Sequence, residues 1–167
     1  MTVSLVERSP TNSNPLDLVE EIVSAHDWPF ERAGEEELLA QIAGRWGDYR
    51  LMFAWHPELC ALQFSCALDV KVPDAKRRPV VDLLAMMNES LWAGHFELCQ
   101  EEGAPIFRHS LLLRGAGGAS VEQVEDLVDI AVAEADRFYP AFQFVIWGGK
   151  SAADAMVSAM IDTVGEA

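Results

Sequence analysis

Cys60, Cys66 and Cys99, with the tripeptide His95-Phe96-Glu97, are the residues whose types suit metal chemistry. A structural zinc needs four such ligands to converge. Cys60 and Cys66 fall on one expected strand, where six residues at roughly 3.3 Å each hold them about 20 Å apart. They read as small core residues instead. His95-Phe96-Glu97 has the opening of a zinc-deaminase signature, which also requires Pro-Cys-x-x-Cys downstream, yet no cysteine follows Cys99. No metal ligand is assigned.

Other reactive patterns fail on similar grounds. Gly149-Lys150-Ser151 ends like a phosphate-binding P-loop, but Phe144 stands where the first glycine of that loop belongs. The Gly115–Gly118 run before Ser120 offers backbone N–H groups to an anion, although a plain strand-to-helix connection accounts for it. His109 and Ser110 are neighbours on an expected strand and so project to opposite faces, and no Gly-x-Ser-x-Gly elbow is present. Acidic runs such as Glu20-Glu21 and Glu35-Glu36-Glu37 read as solvated faces. No catalytic and no cofactor-binding residue is assigned, and the chain is read as a non-enzyme without a cofactor.

Two features point to contacts. Lys71, Lys76, Arg77 and Arg78 place four of the 12 basic residues within eight positions of an otherwise acidic chain. They form a possible partner contact for an acidic segment, set against a solvated turn that balances nearby carboxylates. Asn88 lies beside the apolar stripe of its helix, where an amide needs hydrogen-bond partners. It is expected to pin a neighbouring loop or strand.

The elements that position these residues are legible from periodicity. Residues 1 to about 13 are polar and turn-rich and read as a flexible tail, with one domain over 14–167. Asn14 as N-cap and Pro15 at the first helical position open a helix to about residue 26. Strands are expected at Trp28–Ala33, Leu38–Ile42, Tyr49–Trp55 and Leu59–Ala67, the last with Cys60, Leu62, Phe64 and Cys66 on one face. A helix with the stripe Val80, Leu83, Leu84, Met87 and Leu91 follows, closed by Gly94. Strands at His95–Gln100 and Ile106–Leu113 come next. Ser120 to Gln123 is a capping box that starts a helix ending before Pro140. Phe142 to Trp147 is read as a short helix closed by Gly148-Gly149, with a strand as the alternative. Ser151 to Asp154 caps a last helix.

Composition bounds what such a fold does. The 167 residues are 50% hydrophobic and carry 27 acidic against 12 basic residues, a net charge of -15. This field repels nucleic acid and anionic lipid, so neither is an expected partner. An odd number of cysteines without a secretory signal points to reduced thiols in a cytoplasm.

Four segments carry a resemblance: Tyr49-Arg50-Leu51-Met52-Phe53-Ala54-Trp55, Leu62 to Cys66, Asn88-Glu89-Ser90-Leu91-Trp92-Ala93-Gly94-His95-Phe96-Glu97, and Phe138-Tyr139-Pro140-Ala141-Phe142. In them, and in the order of its elements, the chain resembles the YbjN family of bacterial proteins, described as putative sensory transduction regulators and similar in fold to type III secretion chaperones. The family-like structural positions are Asn88, Trp92, Gly94, His95, Phe96, Tyr139 and Pro140. The resemblance implies an α+β fold, with an antiparallel β-sheet carrying helices on one face in the order α-β-β-β-β-α-β-β-α-α. It also implies a homodimer and a role in binding or regulation.

The first expectation for function is therefore a chaperone-like or adaptor protein in bacterial signal transduction, holding an extended segment of an unidentified protein partner at a sheet edge or apolar patch. The alternative is a small-molecule or signal-sensing domain with a pocket lined by the five tryptophans and eight phenylalanines. An enzyme with an unfamiliar site ranks last.

Overall fold

In the computed structural model, which describes residues 13–164, the first helix α1 (Pro15–Ala25) begins where the cap signal places it. Asn14 Oδ1 accepts the Leu16 N–H at 3.0 Å, while its amide donates to the Glu35 carbonyl at 2.7 Å. One side chain thus starts the helix and ties it to the first hairpin. The tail read over residues 1–13 lies, apart from Ser13, outside the described residues.

Strands β1 (Phe30–Ala33), β2 (Glu37–Ala43), β3 (Asp48–His56) and β4 (Ala61–Ala67) form a meander. Helix α2 (Arg77–Ser90) leads to β5 (His95–Leu98) and β6 (Pro105–Leu112), and helices α3 (Val121–Ile146) and α4 (Ala152–Val164) finish the chain. The sheet order is β1-β2-β3-β4-β6-β5, antiparallel throughout, with β6 inserted between β4 and β5. The fold is α+β, as the resemblance implied. No helix among the described residues is long and apolar enough to cross a membrane.

Alternation decides which face is buried. The cross-strand row Ala40, Leu51, Cys66, Phe107, Phe96 faces the helices, as do Leu38, Phe53 and Phe64 in the next row. Phe96 sits among three phenylalanine rings, with centroids 5.4 Å from Phe107, 5.9 Å from Phe138 and 6.2 Å from Phe142. These aromatics fill the core against one another, and of the tryptophans and phenylalanines only Phe30 borders the trough described below, with its side chain in the Ala40 row by register.

Three expectations about boundaries fail, each for a tertiary reason. Helix α3 does not stop before Pro140 but runs on to Ile146 as one helix with the proline inside. A proline there removes an N–H and frees the carbonyl four residues earlier, that of Asp136. The indole N–H of Trp46 donates to that carbonyl at 3.0 Å. Asp136 Oδ1 in turn accepts the Arg45 N–H at 2.9 Å and the Tyr49 hydroxyl at 2.6 Å. The β2–β3 turn therefore closes the gap that Pro140 opens, and the Trp46 ring stacks on Tyr139.

Cys60 does not begin a strand. Pro57 ends β3 and starts a single helical turn, Pro57–Leu59, after which Cys60 takes a left-handed conformation at φ 48°. Gly94 does not cap α2, which ends at Ser90. It lies in the turn into β5 at φ +68°, where a Cβ would come within 2.3 Å of the Phe107 ring. Any side chain there has to displace a core aromatic.

Candidate functional site

Away from the helices, the same strands present a second set of rows. Leu39, Met52, Ser65, Arg108 and His95 follow one another across five strands, and Gln41, Arg50, Ala67, Ile106 and Glu97 form the row beside them. From β2 to β6 these rows, without His95 and Glu97 of β5, floor a trough of about 580 Å³, bounded at one edge of the sheet by Phe30 and Glu31 and at the other by Glu101 and Glu102 of the β5–β6 turn. That volume is within the range of small-molecule sites.

Along the row Leu39, Met52, Ser65, Arg108 the trough passes from apolar at β2 to polar at β6. Ser65 is 6% exposed, the one buried polar residue among those described, and neighbours Arg108 across the ladder. Arg50 and Glu102 pair end to end, with Nη1 to Oε1 at 3.4 Å and Nη2 to Oε2 closer. The hydrogen bond from Arg50 holds the Glu102 carboxyl below the usual carboxylate range, and the same bond raises the guanidinium.

Arg108 is engaged differently. Its Nη2 lies 2.8 Å from Glu97 Oε1, while Glu97 Oε2 lies 3.2 Å from His95 Nε2. Glu97 thus divides its oxygens between two partners and does not form a two-pronged bond with Arg108. Arg108 Nε is buried and meets no acceptor among the described residues.

The two edges of the sheet also differ. On β5, Asn88 Nδ2 donates to the Phe96 carbonyl at 2.9 Å, and the Phe96 N–H donates to Asn88 Oδ1 at 2.7 Å. One amide side chain from α2 completes the outward bonds of Phe96 as a neighbouring strand would. On β1, the bond from the Gln41 N–H to the Pro29 carbonyl turns the odd-numbered main-chain groups toward β2. The groups of Phe30 and Arg32 then face outward, and nothing among the described residues pairs them. The Arg32 side chain is held inward by Asp17 at 2.7 Å and Glu20 at 2.8 Å.

The residues singled out from sequence fall in several places. Asn88 pins β5, as expected, and the ring it positions is Phe96. Tyr139 is buried, and its hydroxyl donates to the Asp69 carbonyl at 3.2 Å beside Pro140. Trp92 stands 80% exposed in the turn before β5, and His95 pairs with Glu97 on β5, next to Arg108 in register. The basic segment is split. Lys71 lies against the β5–β6 turn, where Val72 N–H donates to Gly103 O at 2.8 Å. Lys76, Arg77 and Arg78 lead into α2 instead, with both arginines exposed.

Sequence reading passed over Arg50, Ser65 and Arg108. Polar residues alternating with buried ones on β3, β4 and β6 were the available signal, but only the register places the three together.

Burial elsewhere concerns the core. It pushes the Cys66 thiol up to about 12 and raises the Tyr49 hydroxyl, where the hydrogen bond to Asp136 adds to the effect. Cys66 and Cys99 are free thiols, and no group of three or more His, Cys, Asp or Glu among the described residues is placed to hold a metal ion.

Comparison with known proteins agrees with this architecture. The family model for YbjN, described as "Putative bacterial sensory transduction regulator", matches residues 15–144. No curated protein matches the chain. Among solved structures, the chain is similar to the crystal structure of YbjN, a putative transcription regulator from E. coli, at 16% identity and a TM-score of 0.52, over 72% of this chain and 85% of that one. At that identity the likeness is one of fold. The chain belongs to the YbjN family.

Proposed function

We propose that this member of the YbjN family is a non-enzymatic regulatory protein of bacterial signal transduction, which binds an extended segment of a partner protein along the outer edge of β1. The observation that carries the reading is the asymmetry of the edges: Asn88 closes β5, whereas Phe30 and Arg32 of β1 hold outward main-chain groups unpaired among the described residues. An added strand draws affinity from such groups and specificity from alternate side chains. Phe30 is 39% exposed beside this edge and offers the first apolar contact.

The non-enzymatic part of the reading is supported by where the perturbed groups lie. The two largest shifts, at Tyr49 and Cys66, belong to core residues that face packed side chains, and those of Arg50 and Glu102 at the trough come chiefly from their bond to each other. The acidic surface favours a partner segment with basic or mixed charge.

Capture of partners by the tagged full-length chain tests the proposal against Phe30→Pro. That substitution removes an outward N–H and an exposed ring but leaves the β1–β2 ladder its donors. A protein recovered by the wild type and lost with Phe30→Pro supports the reading. Equal recovery, or no specific partner, overturns it. A parallel variant with Lys76→Glu, Arg77→Glu and Arg78→Glu asks whether the basic segment joins the contact.

A further inference from the structure

We propose that the trough on the open face of the sheet is a binding site for a small amphipathic carboxylate, with the acid group on Arg108 and the apolar body over Met52 and Leu39. The site lies on the face of the sheet, adjoins the β1 edge contact at Phe30 and gives the protein a ligand to sense.

Arg108 is the anchor because its guanidinium is incompletely used. Nη2 has one oxygen of Glu97 and Nε has no acceptor among the described residues. The covered Nε–H is costly to leave without a partner, and a carboxylate that moves Glu97 aside and takes Nε and Nη2 together forms the two-pronged bond that Glu97 does not. Displacing Glu97 costs little. The pair is about one-third exposed at both side chains, and Glu97 keeps His95 through its other oxygen. Ser65, next to Arg108 in the same row, sets a hydroxyl beside the incoming acid.

The apolar requirement follows from register. Met52 is two strands from Arg108 and Leu39 three, which is roughly 10–14 Å at the usual strand spacing. Leu39 is 42% exposed and gains burial when covered. Arg50 is the poorer anchor, because an incoming acid has to replace two contacts with Glu102 there, against one with Glu97 at Arg108. An acid too short to reach Met52 gains only the charge contact.

The test uses phenylbutyrate, its neutral amide and acetate as probes on the full chain, followed by the NMR signals of the Arg108 Nε–H and the Met52 methyl. Phenylbutyrate is expected to move both signals and to bind about ten-fold or more tightly than either control, one ten-fold step being the scale of a single good contact. Arg108→Lys keeps the charge but loses the fork and is expected to weaken binding about ten-fold. Glu97→Gln removes the competing carboxylate and is expected to tighten it. The inference is overturned if the Arg108 signal stays in place at saturating probe, if the amide binds as well as the acid, or if Glu97→Gln weakens binding. The wild-type arms stand even where a variant fails to fold, and loss of partner capture at β1 leaves them untouched.

Discussion

The two edges of the sheet have the same backbone chemistry and opposite finishes. At β5, an amide four residues from Leu84 on α2 reaches across and satisfies both main-chain groups of Phe96. At β1, the corresponding groups of Phe30 and Arg32 are left outward, while Arg32 is drawn back by Asp17 and Glu20. The difference teaches where the fold depends on long-range repair. The β5 edge carries a core ring, so its main chain must be fixed. The β1 edge carries half-exposed residues and is free to serve binding.

Asn88→Ala is the strongest way to break this comparison. It strips two bonds from the strand that holds Phe96, leaves partly buried polar groups unpaired, and is expected to cost about 2–4 kcal/mol in urea unfolding. A loss below about 1 kcal/mol would show that the β5 edge is not pinned by this amide.

The Pro140 gap is a second repaired site and supplies the next effect. Trp46→Phe keeps an aromatic ring near Tyr139 but removes the donor to the Asp136 carbonyl, at an expected cost of about 1 kcal/mol. With Pro140→Ala the helix regains its own N–H, so the same Trp46→Phe change is expected to cost less in that background. A double-mutant cycle with no coupling would separate Trp46 from Pro140.

At the open edge the expected effect on stability is smaller. Phe30→Pro should lower the unfolding free energy by less than about 1 kcal/mol, since the N–H it deletes has no partner among the described residues. A larger loss means the β1 edge is structural.

The smallest effect concerns the trough rim. Glu102 has its carboxyl lowered by Arg50, so its contribution to stability is present above the ordinary carboxylate range and is lost as the pH falls through the lowered folded value. Both side chains are about half exposed, which keeps the contribution small. The wild type should exceed Glu102→Gln in stability by this small amount at neutral pH, and the difference should close on that acid limb.

Much of the fold was legible because its signals are local. Asn14 and Ser120 start helices through bonds to N–H groups two and three residues away, and the sequence spacing alone specifies them. Ser151 likewise accepts the Asp154 N–H at 3.2 Å. The stripe Val80, Leu83, Leu84, Met87 is buried as its period requires. Asn88 stood out by its place beside that stripe.

What the sequence by itself determined, then, is the order of elements, their caps and the alternation of each strand, because those depend on neighbours within a few residues. Tertiary structure alone decided that α3 runs through Pro140, since the repair comes from Trp46, 90 residues away. It also decided the site. Arg50, Ser65 and Arg108 lie on three strands, and their meeting depends on β6 entering between β4 and β5 in one register, which the packing of Phe64, Cys66 and Phe107 on the opposite face selects.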